Sequence, residues 1–331
     1  MTKPERRPKM TGRGTPPRGP NRAPEQSLQR EPARTDRGPV SRGRAPAREK
    51  LAVPVVEGLA PTPRFLELAD QMGVAFEPGD VEKLGLHLAM VLAANEQMNL
   101  TGTSDSAQGW ERHVLDSLTL FPAISELLPE EGGRVIDVGS GAGFPGLPLA
   151  IVMPHVRFTL ADATGKKVEF LRQVIDRLGL KNAEAVMGRA ETLAHDRGVK
   201  ATGPGRSGRV GGYREKFDVV VARAVGPMAV IAELAAGFCR ANGTILLIKG
   251  ERAPEELAEG AKALHLLKLV AGEILRTPTG RVVVLEKASA TPRDYPRRDG
   301  EPKRAPLGVE REKEREKEQE RGRAKAPRGG G

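Results

Sequence analysis

The chain has 331 residues, with 39 glycines, 27 prolines, one cysteine, and 53 Lys+Arg against 43 Asp+Glu. That length permits one large domain or two small ones, and a single cysteine excludes a disulfide-stapled fold and a cysteine-built zinc site. The formal charge of +10 sits at the ends: residues 1–50 carry +9 and 289–331 carry +4, which leaves 51–288 at −3. Two basic segments therefore flank a mildly acidic body, and the net charge does not describe a basic globular domain.

Residues 1–60 read as a basic Pro/Arg-rich tail. The first 50 hold nine prolines and 14 Lys+Arg with almost no large apolar side chain, too little to offset the entropy of ordering. The expectation is a disordered segment whose positive charge suits loose contact with RNA phosphates. The longest apolar run, around Leu147–Met153, is far short of the ~20 residues a spanning helix needs. A soluble, cytoplasmic protein with no membrane partner is expected.

Residues 61–128 carry helical signals. Thr62-Pro63 reads as an N-cap and first-turn proline ahead of Phe65, Leu66, Leu68 and Met72, with Gly73 as a stop. Asp80 can cap a second helix, in which Val81, Leu84, Leu88, Val91 and Leu92 recur at helical spacing up to Asn95–Asn99. A third helix is expected from about Asp105 to Leu118.

From Arg134 the period changes. Strand-length apolar runs at 134–138, 156–161, 183–187, 217–222, 244–248, 267–274 and 281–286 appear, and the first five alternate with segments 146–153, 165–179, 189–195 and 227–240. Strand, helix, strand repetition implies right-handed crossovers, hence an α/β fold over 129–288. The expected sheet is doubly wound, Rossmann-like, mostly parallel and seven-stranded, with an antiparallel edge strand formed through the turn Thr277-Pro278-Thr279-Gly280. Gly198–Tyr213, with six glycines, interrupts the scheme as a flexible loop, and 289–331 reads as a charged, basic tail.

The first strand runs into Asp137-Val138-Gly139-Ser140-Gly141-Ala142-Gly143-Phe144-Pro145-Gly146. Glycines here let backbone N–H groups approach a ligand at the carboxyl ends of the strands. A dinucleotide fingerprint needs glycine where Phe144 stands, and a P-loop needs a Lys-Ser/Thr pair that is missing. A turn without a pyrophosphate cradle but with Asp137 before it suits a nucleoside carrying a cationic amino-acid tail, S-adenosylmethionine. Asp162, 23 residues beyond Gly139, can accept both ribose hydroxyls, a feature that fits NAD equally. Gly188-Arg189-Ala190-Glu191 follows the third strand and Arg223-Ala224-Val225 the fourth, around the same crevice.

These blocks, together with Asn99-Leu100-Thr101, Arg112-His113-Val114-Leu115-Asp116-Ser117, Lys166–Leu171, Leu247-Ile248-Lys249-Gly250 and Tyr295-Pro296-Arg297-Arg298, resemble the bacterial 16S rRNA guanine-N7 methyltransferase family of the RsmG (GidB) type. The resemblance spans roughly Phe65 to Leu307. It implies a class I S-adenosylmethionine-dependent methyltransferase acting on 16S rRNA in the small ribosomal subunit or its assembly intermediate, with no metal. Carried over position by position, cofactor contacts are Gly139, Gly141, Phe144, Asp162, Ala163, Thr164, Ala190, Glu191 and Arg223. Arg112, His113, Arg223 and Lys249 are candidate substrate contacts. Guanine N7 carries a free lone pair, so no general base is demanded and no catalytic residue is assigned. Other methylations fit less well: the one cysteine, Cys239, reads as packing in a helix, and no Asn/Asp-Pro-Pro-aromatic run follows the fourth strand. An NAD-dependent oxidoreductase and a non-catalytic RNA-binding adaptor are the alternatives.

Overall fold

The computed structural model describes residues 53–309 apart from 99, 103–104, 201–208 and 224–225. Residues 1–52 and 310–331 of the two expected tails, Asn99, Ala224, Val225 and the middle of the glycine-rich segment lie outside the described residues.

Seven strands form one sheet: β1 (Arg134–Val138), β2 (Arg157–Asp162), β3 (Ala183–Met187), β4 (Phe217–Arg223), β5 (Cys239–Lys249), β6 (Leu269–Thr277) and β7 (Gly280–Lys287), in the order β3-β2-β1-β4-β5-β7-β6. The first five run parallel, while β7 lies antiparallel to both β5 and β6. Because side chains alternate across a strand, each central strand feeds two cores. Val135, Val219, Val221, Leu246, Ile248 and Val282 face one cluster. Ile136, Val220, Ala222, Ile245, Leu247 and Val283 face the other. The doubly wound expectation is met.

The first core is closed by α1 (Pro63–Gln71), α2 (Asp80–Met98), a composite α3, α4 (Phe121–Leu127), α5 (Gly146–Val152) and α6 (Gly165–Leu178). Thr62 caps α1 as expected, its hydroxyl accepting from Phe65 N at 3.1 Å. Asp80 lies inside α2, and its carboxylate reaches back to accept Glu77 N at 3.0 Å. The third helix is helical at Ser106–Gly109 and Asp116–Leu118, with a π-helical stretch, Trp110–Leu115, between them. Such stretches are frequent at functional sites. The 61–128 region shares this core with the sheet.

The second core is covered by α7 (Ala190–Leu193), α8 (Met228–Ala236), α9 (Ala253–Glu259) and α10 (Ala261–Leu267). The sequence reading lacked α4, α9 and α10. It also put Cys239 in a helix, whereas Cys239 opens β5, where burial pushes its thiol up to about 12. Val199–Lys200 and Arg209–Val210 pair antiparallel, so the glycine-rich segment is rooted as a hairpin.

Both expected tail boundaries fall inside packed structure. Val53 is buried, its N–H donates to Gln173 Oε1 at 2.9 Å, and Leu59 N donates to Gly85 O at 3.2 Å. At the other end, residues 289–309 form a strap with a short helix, α11 (Glu301–Arg304). Buried Arg214 donates to the carbonyls of Thr291, Pro292 and Tyr295. Lys287 Nζ, fully buried, donates to Thr291 Oγ1 at 2.6 Å, and Arg297 makes a two-pronged pair with buried Glu233. Charge made these residues look like a tail, but the charges are partnered within the domain.

Candidate active site

The turn after β1 depends on glycine: Gly139, Gly141 and Gly143 have φ of 79°, 58° and 98°. At Gly146, a Cβ would meet Asp137 Oδ2 at 2.9 Å, which explains why the helix following the turn begins on a glycine. Gly139 N and Ser140 N donate to Ala161 O, clamping the turn to β2. Asp162 tightens the clamp, accepting Gly141 N at 3.1 Å on one oxygen and Thr164 N at 2.7 Å on the other. Asp137 accepts Gly146 N at 3.0 Å through Oδ2, but its buried Oδ1 has no hydrogen-bond partner, and burial pushes the carboxyl up to about 7.

Phe144 is buried between two histidine rings, 4.6 Å from His87 and 5.1 Å from His113, with the Arg223 guanidinium 5.2 Å over its face. His87 donates Nε2–H to Ala142 O at 2.9 Å, so α2 holds the glycine turn from behind. Burial lowers the pKa of both histidines to about 4, with Arg223 adding to the effect at His113.

Two cavities open at the carboxyl ends of the strands. The first, about 500 Å³, is lined by Val138, Gly139, Ala161, Asp162 and Ala163, by Gly188 to Glu191, by Gly226, Pro227, Val230 and Leu234, and by Pro302 and Lys303 of the strap. This is ample for a nucleoside-sized ligand. Glu191, only 6% exposed, accepts Gly300 N at 2.8 Å, so the carboxylate that lines the cavity also ties down the strap. Arg189 reaches Glu191 at 3.4 Å and Asp299 at 3.5 Å. The second cavity, about 760 Å³, is lined among others by Thr101, Glu111, Arg112, His113, Asp116, Arg223, Lys249, Glu256 and Thr279. Arg223 donates to Arg112 O at 2.9 Å and Asp116 Oδ2 at 3.2 Å, while Thr279 donates to Asp116 Oδ1 at 2.6 Å. Burial raises the Asp116 pKa against the lowering effect of these donors. Lys249 donates to Glu256 at 2.7 Å and to Gly226 O at 2.6 Å.

The structure thus sorts the sequence-derived residues. Gly139, Asp162, Ala163, Ala190 and Glu191 line the first cavity; Gly141, Phe144 and Thr164 hold its walls without lining it. Arg112, His113, Arg223 and Lys249 line the second, so Arg223, expected in both groups, lines the second cavity and not the first. Sequence reasoning missed Pro227, Val230, Leu234, Pro302 and Lys303 in the first cavity, and Glu256, Thr279 and a role for Asp116 in the second. Asp116 alone had a visible signal, as part of the Arg112–Ser117 block. Among the described residues, no group of His, Cys, Asp and Glu could hold a metal ion, and no helix is long and apolar enough to cross a membrane.

The donor groups fit a nucleoside with a cationic tail. A carboxylate at the end of β2 suits ribose hydroxyls, and an unpartnered buried oxygen on Asp137 sits behind the turn. Strand order, antiparallel β7 and cavity position define a class I S-adenosylmethionine-dependent methyltransferase. The chain belongs to the GidB family, rRNA small subunit methyltransferase G, whose model matches residues 80–281. It is 41% identical over 251 residues to the ribosomal RNA small subunit methyltransferase G of Sorangium cellulosum, covering 76% of this chain and 98% of that one. The Brevibacillus brevis protein of the same name is 36% identical over 253 residues, covering 74% and 98%. A solved SAM dependent methyltransferase from Aquifex aeolicus aligns with a TM-score of 0.38 at 18% identity, covering 52% of this chain and 90% of that one; the fold assignment rests on strand order and not on that likeness.

Proposed function

We propose that the protein methylates N7 of a guanine in 16S rRNA, in the small ribosomal subunit or an assembly intermediate, and that it does so in the cytoplasm. The observation that carries this reading is the adjacency of the two cavities: Arg223 lines one and Gly226, three residues on, lines the other, with Lys249 bonded to Gly226 O between them. When bound in the first cavity, S-adenosylmethionine supplies a methyl group activated by a sulfonium. Asp162 and Glu191 hold its nucleoside end in this reading, while the glycine turn permits close approach of backbone amides.

Arg112 and Arg223 suit phosphate oxygens or the guanine O6 edge. His113 stays neutral at physiological pH, since its pKa lies at about 4, and adds a flat surface instead of charge. Because N7 has a lone pair and no proton, aligning the two reactants in neighbouring cavities is sufficient chemistry. NAD chemistry would require a glycine where Phe144 is locked between two rings.

The test is chemical mapping of N7-methylguanine in 16S rRNA, by reduction and strand cleavage, after small subunits and, separately, assembly intermediates lacking the modification are incubated with the purified protein and S-adenosylmethionine. One new cleavage site is the expected outcome, and an unchanged cleavage pattern rejects the reading.

A further inference from the structure

We propose that Asp116 is the base-reading residue of the second cavity, its carboxylate accepting the N1–H and N2–H donors of the target guanine. The proposal rests on the methyltransferase reading above and adds how guanine is chosen. N7 and O6 share one edge of the base, and that edge must be turned to the methyl donor. Discrimination beyond O6 then falls to the Watson–Crick edge, where guanine presents two adjacent donors, N1–H and N2–H. Adenine presents an acceptor there, and uracil a single N–H between two carbonyls. An ionised carboxylate, acceptor-only with two oxygens side by side, is the natural complement to a paired donor edge.

Among the described residues three carboxylates line this cavity, and one of the three is placed to do this. Glu256 is engaged by Lys249 at 2.7 Å. Glu111 is 40% exposed and leans towards Arg64 at 3.5 Å. Asp116 is 13% exposed and held by one donor on each oxygen, Arg223 at 3.2 Å and Thr279 at 2.6 Å. A carboxylate has about four lone-pair sites, so one per oxygen remains for a ligand. The two donors come from the end of β4 and the β6–β7 turn, elements far apart in sequence that fix the carboxylate's orientation before any base arrives. Arg223 also stacks on Phe144 at 5.2 Å, which ties this carboxylate to the glycine turn of the neighbouring cavity.

Inosine separates this role from a merely structural one, because it keeps N7, O6 and N1–H but lacks the N2 amino group. Small subunits are reconstituted with 16S rRNA carrying inosine or guanosine at the mapped position, and kcat/KM is compared for the parent protein and Asp116→Ala. For the parent, inosine should be slower by about 10- to 100-fold, the loss of one hydrogen bond to a charged acceptor. For Asp116→Ala, guanosine should be slowed and the guanosine-to-inosine ratio should fall close to one. A parent ratio near one, or an unchanged ratio in the variant, overturns the proposal. Should the variant fail to fold, as judged by thermal melting and by calorimetric affinity for S-adenosylhomocysteine, the parent's inosine ratio and its rejection of N1-methylguanosine still decide. Absence of methylation on guanosine itself rejects the parent reading instead.

Discussion

Asp137 and Asp162 end neighbouring strands, yet their surroundings assign them different tasks. Asp162 faces the first cavity and already accepts two backbone N–H groups, leaving its remaining lone pairs for ribose hydroxyls. Asp162→Ala should weaken S-adenosylmethionine binding by about 1 to 3 kcal/mol, the value of a hydrogen bond to a charged group. Asp162→Asn, which keeps one acceptor, should lose less; titration calorimetry on both variants checks the order. Asp137 is a different case, fully buried with one oxygen unpartnered. Its carboxyl ionises near 3.8 in the unfolded chain but at about 7 in the fold. The folded state therefore binds the proton more tightly, and stability falls as pH climbs from about 4 to 7, then levels off. Asp137→Asn removes that slope. Its melting temperature should match the parent's near pH 4 and exceed it by several degrees at pH 8. His87, whose low pKa acts in the opposite sense between about 6.5 and 4, is common to both proteins and cancels in the comparison. A difference independent of pH would contradict the burial argument.

Among elements, the strap over residues 289–309 is the piece that charge reading disguised. Its hold depends on side chains of other elements: Arg214 from the root of the glycine-rich hairpin and Glu233 from α8 reach its backbone, and Lys287 of β7 donates to the Thr291 hydroxyl. No local period advertises such contacts, so neither the strap nor its cavity residues Pro302 and Lys303 could be read from the sequence. By contrast, the strands were legible because alternation at Val135-Ile136 and Val219-Val220-Val221 is dictated by two-sided burial. The glycine turn and Asp162 were legible because they fall at strand ends. Helices α9 and α10 escaped because Gly260 divides a stretch too short to show a sustained stripe. The strap predicts a coupling. Asp299 bonds Thr192 at 3.0 Å and pairs with Arg189 but does not line the cavity, so Asp299→Ala should loosen the strap without removing a ligand contact. S-adenosylmethionine affinity should fall several-fold, and by reciprocity the ligand should protect the strap from trypsin at Arg297, Arg298 and Lys303. Equal cleavage with and without ligand would dissociate the two.

For the whole molecule, charge and chemistry are separated. The body between residues 51 and 288 is close to neutral at −3, whereas the first 50 residues carry +9. Affinity for RNA that arises from the ends should then be strongly salt-dependent, while ligand binding in the first cavity should not. Removing residues 1–50 and 311–331 together should leave S-adenosylmethionine affinity unaltered and flatten the dependence of RNA binding on salt. An identical slope in filter-binding titrations would show that the ends contribute nothing to it.

The order of synthesis gives the strap one more meaning. The sheet and glycine turn leave the translating ribosome first, but Pro302 and Lys303, which line the first cavity, emerge more than 150 residues after Gly139. A nascent chain arrested before that point lacks the part of the cavity lining that the strap supplies, so a complete lining awaits synthesis of residues 302 and 303.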